Sequence, residues 1–246
     1  MDLVKQAGSL KPRLVEFALS PRFDHELSAL IERNFPGGFV ADEPLLSMTL
    51  DYFMLQHRLP SGTTVVEEFV TAHPELSAAE QDLLLGWRDV VEGVFEVAGK
   101  DGDTVMLVNL LDELTYRTRS NMGCQAFRTL KKQMIVICRL VRIGDDWLVS
   151  GNLATFPVSA RQDMLVAAAE QAMRSPEAVF RNPAKLADAR SALTHQHQVF
   201  TRLFGCDLVV VPAAEVPPKV EEFHRCLANQ AAPDHPPKPV TLDLPR

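Results

Sequence analysis

The stretch from Gly93 to Phe156 constrains the fold most, because its apolar residues alternate with a period of two. Five such runs are separated by short polar turns, of which Gly99 to Asp103 carries the Asp-Gly signal of a hairpin. The predicted strands are residues 94–98, 104–110, 114–119, 134–143 and 147–156. Five strands joined by short turns predict a small β barrel of the SH3-like or OB-like kind.

The fourth of these strands is apolar on both faces. One face carries Met134, Val136, Cys138 and Leu140, and the opposite face carries Ile135, Ile137, Val141 and Ile143. A strand of this kind is covered on both sides. We therefore expect helices to pack against the barrel.

Both flanks of the barrel have helical patterns. Capping boxes are predicted at Thr64–Glu67, Ser77–Glu80 and Ser159–Gln162, and Asn182-Pro183 opens a long helix that Gly205 closes. The run from Cys206 to Pro212 is predicted to be extended.

These patterns together predict an α+β protein with a small five-stranded β barrel between two helical segments. The predicted parts are a helical segment over 1–91, the barrel over 92–157 and a helical segment over 158–229 that packs on the rest. The tail over 230–246 is rich in proline, alanine and charge, and we expect it to be disordered.

Composition limits the function classes. The net charge is −7 and the whole acidic excess lies in residues 1–91, which argues against general coating of DNA. The N-terminus has no signal-peptide pattern, no apolar run approaches a membrane span, and the four cysteines are far apart in the sequence. Reduced thiols in a cytoplasmic protein that does not enter a membrane are therefore expected.

One basic stretch leaves room for nucleic-acid binding. It contains five cations and no acid: Arg117, Arg119, Arg128, Lys131 and Lys132. Small barrels bind nucleic acid through cations beside aromatic residues that stack bases. Only Tyr116 and Phe127 are near, and alternation points Tyr116 away from the two arginines. A solvated strand face is the favoured interpretation of these cations.

No catalytic or cofactor motif is present in the sequence. The pairs His195-x-His197 and His224-x-Cys226 fall on predicted helices, where positions i and i+2 point about 200° apart and cannot chelate together. His57 ends an apolar helix stripe and is interpreted as a histidine at the core boundary. We predict no catalytic residue, no metal site and no cofactor.

Several segments resemble uncharacterised bacterial proteins related to SEC-C motif-containing proteins. The resemblance rests on Leu50 to Gly62, His73 to Ser77, Gly86 to Asp89, Gly93 to Val97, and Phe204 to Pro212. It implies an order of helices, small β module and helices. This chain has no cysteine-rich tail of the SEC-C kind, so the metal function of such a tail is not implied here.

The sequence favours a non-enzymatic cytoplasmic interaction or regulatory protein whose partner is another protein. Two alternatives stay open. One is a nucleic-acid-associated factor that uses the barrel, and the other is an enzyme whose site is assembled from residues distant in sequence.

Overall fold

The computed structural model describes residues 2–35, 43–174 and 176–230. The chain divides into two compact units, Met1–Asn182 and Pro183–Arg246. This boundary falls inside the predicted helical segment 158–229. The predicted tail 230–246 lies outside the described residues from position 231 onward.

The first unit begins with five helices: α1 (Leu3–Ala18), α2 (Asp24–Asn34), α3 (Glu43–Leu55), α4 (Val65–Ala72) and α5 (Ala78–Gly86). The strands follow: β1 (Val90–Asp101), β2 (Thr104–Asn109), β3 (Thr115–Arg119), β4 (Ile135–Ile143) and β5 (Asp146–Phe156). Helices α6 (Arg161–Arg174) and α7 (Pro176–Val179) complete the unit. The second unit contains α8 (Pro183–Phe204) and α9 (Val216–Gln230).

Helix starts follow the local sequence at two of the three predicted capping boxes. The side chains of Thr64 and Ser77 accept from the backbone N–H groups of Glu67 and Glu80, whose carboxylates bond back, so both boxes are confirmed. The box predicted at Ser159 is wrong. Pro157 begins a 3₁₀ turn over Val158–Ala160 that contains this serine, and α6 starts only at Arg161.

The five strands form a sheet that closes on itself in the order β1-β2-β3-β5-β4. Strand β1 pairs with both β2 and β4, in each case antiparallel. Strands β3 and β5 pair in parallel, at Thr118 with Trp147 and Arg119 with Leu148. The molecule is a mixed α+β protein in which helices flank the closed sheet.

Strand β4 separates two hydrophobic cores, as its two apolar faces predict. Val136, Cys138 and Leu140 pack inside the closed sheet. Val141 and Ile143 pack instead with the helices of the first unit, in a core that also contains Trp87 at the C-terminus of α5. Burial of apolar surface on both faces holds the helices on the sheet.

No helix among the described residues is long and apolar enough to cross a membrane.

Candidate functional site

The two arginines of β3 lie on the outer face of the sheet but are paired with carboxylates. Arg119 Nε donates to Asp146 Oδ2 at 2.8 Å and has a second acid, Asp103, at 3.6 Å. Arg117 Nε lies 3.5 Å from Asp146 Oδ1. The carboxylates, which are distant in sequence from the arginines, partly neutralise the positive field that a phosphate would need.

The remaining three predicted cations, Arg128, Lys131 and Lys132, are exposed in the connection between β3 and β4. None of them forms an ion pair within residues 2–35, 43–174 and 176–230. The five predicted cations therefore form two groups. Arg117 and Arg119 on β3 pair with carboxylates, whereas the three loop cations form no ion pair with a described residue.

Neither nearby aromatic residue offers a stacking surface. Phe127 is buried, and Tyr116 points into the closed sheet, where its ring meets Phe95 edge-on at 5.7 Å. Burial raises the pKa of Tyr116 to about 12, so its hydroxyl stays neutral. Neither Tyr116 nor Phe127 can therefore stack on a base beside the cations.

His57 and His197 each contact neighbouring side chains. His57 stacks on Phe53 at 5.6 Å, and burial together with the charge of Arg33 lowers its pKa. His197 Nε2 lies 3.4 Å from Asp207 Oδ1 in the second unit. In the part of the chain that the structure describes, no three His, Cys, Asp or Glu side chains are grouped so that they could hold a metal ion.

The second unit has an apolar groove of about 140 Å³ between α8, α9 and the segment that joins them. Phe200 lies at its centre, with ring centroids 4.8 Å from Phe204 and 5.6 Å from Phe223. The groove is lined by Phe200, Phe204, Val209, Val211, Val216, Lys219, Val220 and Phe223. Its only charged lining group, Lys219, has Nζ 5.3 Å from the Phe204 ring centroid.

The connecting segment 206–212, which was predicted to be extended, begins with a bend at Cys206 and Asp207 and contributes two residues to this groove. Val209 and Val211 line the groove, whereas Leu208 and Val210 point outward and are 76% and 86% exposed. The backbone N–H groups of residues 208–211 donate to no acceptor in the described part of the chain. Residues 208–211 form no regular secondary structure and thus present backbone N–H donors without a partner in the described part of the chain.

Two local features lie where this segment leaves α8. Gly205 ends α8 with a φ of +72°, which favours glycine, and its N–H donates to Thr201 O at 2.8 Å. Thr201 Oγ1 then donates to Asp207 Oδ1 at 3.2 Å. Both bonds connect the start of the segment to the C-terminal turn of α8. We name residues 206–212 the open edge.

The sequence predicted that residues 206–212 are extended but did not single them out as a site. The signal that could have done so is a β-type run, Leu208 to Val211, in a region whose other elements are all helical. Such a run has no neighbouring strand to pair with.

No curated protein matches the chain. No solved structure matches it either. One family model does match, over residues 38–179, which is more than half of the 246 residues. The matched region covers the closed sheet and the helices from α3 to α7, and it ends before the second unit. The chain therefore belongs to a family of unknown function, DUF7986.

Proposed function

We propose that this protein is a non-enzymatic interaction protein of the cytoplasm, and that the open edge binds an extended apolar segment of a partner protein. The observation that carries the proposal is the combination of two outward apolar side chains, Leu208 and Val210, with unpaired backbone donors on the same residues. A peptide that adds as a strand gains backbone hydrogen bonds from the edge and apolar contacts from alternate side chains.

The chemistry of the partner follows from the chemistry of the edge. Asp207 is the only charged residue of the open edge, and Leu208 to Val211 are all apolar. A matching segment is therefore β-prone and apolar, and binding to it depends little on salt. Exposure of large apolar side chains at neighbouring positions is uncommon on a surface that only meets water.

Site-specific photo-cross-linking tests the proposal in cells. A benzophenone amino acid placed at Val210 is expected to capture a defined protein partner, whereas the same residue at the exposed Ala192 of α8 captures none. With the captured partner purified, Val210→Pro should weaken binding about two- to tenfold, because proline removes one backbone donor. Ala192→Pro would break α8, so Ala192→Lys is the matched surface control.

Equal cross-linking at Val210 and Ala192 would contradict the proposal. So would a captured partner whose affinity is unchanged by both Val210→Pro and the double change Leu208→Lys with Val210→Lys. The lysines keep the edge soluble but place two charges where an apolar partner must pack.

The closed sheet is proposed to be an OB-like barrel. The parallel pairing of β3 with β5 supports the Greek-key order of an OB barrel over an SH3-like arrangement. OB barrels bind oligonucleotides with strands 2 and 3 and with the loops between strands 1 and 2 and strands 4 and 5. Here those two loops and the first residue of β5 bring Asp103, Asp145 and Asp146 to the face that carries Arg117 and Arg119. This charge balance favours the protein-interaction proposal over the nucleic-acid alternative.

The nucleic-acid alternative now depends on the three loop cations. If it holds, changing Arg128, Lys131 and Lys132 together to Glu should abolish binding of labelled single-stranded RNA in low salt, measured by fluorescence anisotropy. Binding should also weaken as salt rises, because neutralised phosphates release counterions. The relation to SEC-C proteins likewise stays a prediction, since the family description does not mention that motif.

A further inference from the structure

The open edge forms part of the wall of the apolar groove in the second unit. Val209 and Val211 line the groove. The backbone N–H groups of residues 208–211 donate to no acceptor in the described part of the chain. A strand that pairs with this segment would therefore gain backbone hydrogen bonds and would extend the apolar wall of the groove.

The chain itself contains a matching run, Val240 to Leu244, beyond the last described residue. Its apolar residues are at the alternate positions 240, 242 and 244, so an extended conformation would place all three on one face. Pro239 and Pro245 border the run, and proline limits a paired strand to the residues between them. The length of the run is thus close to that of the segment with unpaired donors.

The chain between α9 and this run is long enough to return to the groove. Residues 231–239 include four prolines, and a proline-rich chain of this length reaches about 28 Å. The α9 residues that line the groove lie between Val216 and Phe223. At the helical rise per residue they are about 10–21 Å along the axis from Gln230, where α9 ends. The run can therefore reach the open edge of its own chain.

The charges of the groove and of the run are opposite in sign. Lys219 is the charged residue of the groove lining. Asp243 is the only charged residue between positions 240 and 244. Docking therefore brings no second cation to Lys219. An exposed pair of this kind contributes more to the choice of segment than to affinity.

We propose that residues 240–244 bind along the open edge of the same chain as an added strand, with their apolar face over the groove. This departs from the disorder that composition predicts for residues 230–246. Because the run is tethered to α9, its effective concentration at the groove is in the millimolar range. A partner segment must displace it, so the tail regulates the site as an internal competitor. That regulatory consequence rests on the proposed function, whereas the docking does not.

Amide hydrogen exchange of the full-length protein, measured by NMR, tests the docking. The test variant is Leu242→Asp, which places a charge on the face that packs on the groove. The matched control is Thr241→Asp, which adds the same charge at the neighbouring position on the opposite face. In a paired strand alternate amides face the partner, so one alternate pair among residues 208–211 should exchange about tenfold faster in Leu242→Asp only. That factor corresponds to a tail affinity of about 0.1 mM at an effective concentration of about 1 mM.

A labelled synthetic peptide with the sequence of residues 238–246 gives a second readout by fluorescence anisotropy. It should bind full-length Leu242→Asp about tenfold more tightly than the unmodified protein, whose own tail competes for the groove. Val220 lines the groove and is 46% exposed, so Val220→Lys changes the surface without opening a buried core. Added to Leu242→Asp, this change should abolish peptide binding, and circular dichroism verifies that the helices remain folded.

Equal exchange at residues 208–211 in the unmodified protein and in Leu242→Asp would overturn the proposal. An equal increase in Thr241→Asp would overturn it too, because the apolar face would then not make the contact. Protection that rises with protein concentration would show that the tail binds a second copy instead. A partner captured at Val210 together with unprotected amides would reject the tail docking and retain the proposed function.

Discussion

Replacing Lys11 with methionine should destabilise the first unit strongly, because it leaves Asp51 without a counter-charge. The Asp51 carboxylate pairs with Lys11 Nζ and is 3% exposed, and among the described residues the variant leaves it one hydrogen-bond donor, the Ser150 hydroxyl. Removing one member of a buried ion pair costs about 3–5 kcal/mol. Lys11 itself is partly open to water, so we expect the lower part of this range, about 3–4 kcal/mol.

The reverse change, Asp51→Leu, should cost less. The ammonium of Lys11 ends a long flexible side chain that is 24% exposed, so it can turn toward water when the carboxylate is gone. The double variant, Lys11→Met with Asp51→Leu, replaces the pair by apolar groups. Such exchanges are often close to neutral, and we expect its stability to lie within about 1 kcal/mol of the unmodified protein.

Urea unfolding followed by far-ultraviolet circular dichroism measures all four members of this double-mutant cycle. The slope against urea should be constant, so that the midpoints report stability alone. A loss of less than about 0.5 kcal/mol in Lys11→Met would refute the reasoning. A double variant that loses the sum of the two single losses would refute it as well, because then the pair would have no coupling.

Three further predictions concern the first unit. Trp87→Ala should cost about 3–5 kcal/mol in urea unfolding, because the ring is fully buried between the helices and the sheet; a loss below about 1 kcal/mol would exclude its role as an anchor. Thr64→Ala should cost about 0.5–2 kcal/mol at neutral pH. The pKa of Glu67 is lowered first by the hydrogen bond from the Thr64 backbone N–H, which alanine retains, and also by the bond from the Thr64 hydroxyl, which alanine removes. The stability difference between the two proteins should therefore shrink as the pH falls through that lowered pKa, and an unchanged difference at acidic pH would contradict the assignment. Burial raises the pKa of Asp112, so its contribution is present below about pH 4 and is lost as the pH rises through the raised value. Asp112→Asn should therefore gain stability relative to the unmodified protein between acidic and neutral pH, and parallel stability curves for the two proteins would refute this.

Local pattern was enough to predict the strands and two helix starts. The alternation of Tyr116 and Thr118 with Arg117 and Arg119 gave the correct inner and outer faces of β3. The capping boxes at Thr64 and Ser77 are also decided by residues three positions apart. In each case the residues that decide the local structure are close together in the sequence. The sequence pattern alone is therefore enough to predict that structure.

The polar cluster of Lys11, Asp51 and Ser150 in the first unit and the pairing of the β3 arginines could not be predicted because the interacting residues are distant in sequence. Lys11 meets Asp51 across 40 positions, and Asp51 meets Ser150 across 99. Asp146, which neutralises Arg119, lies 27 positions away. The acid-free stretch that suggested a nucleic-acid interface is acid-free in sequence but not in space. Periodicity shows which face of a strand or helix a residue occupies. It does not show which residues of other elements lie next to that face.

The pairing of β3 with β5 closes the sheet and affects where the sheet can open. Strand β4 is joined to β5 along most of their length, whereas β3 and β5 are joined in register at two positions, Thr118 with Trp147 and Arg119 with Leu148. Local opening takes the route that breaks the fewest backbone bonds. We therefore expect the seam between β3 and β5 to open first under thermal fluctuation, with the ion pairs of Asp146 to Arg117 and Arg119 opposing this opening.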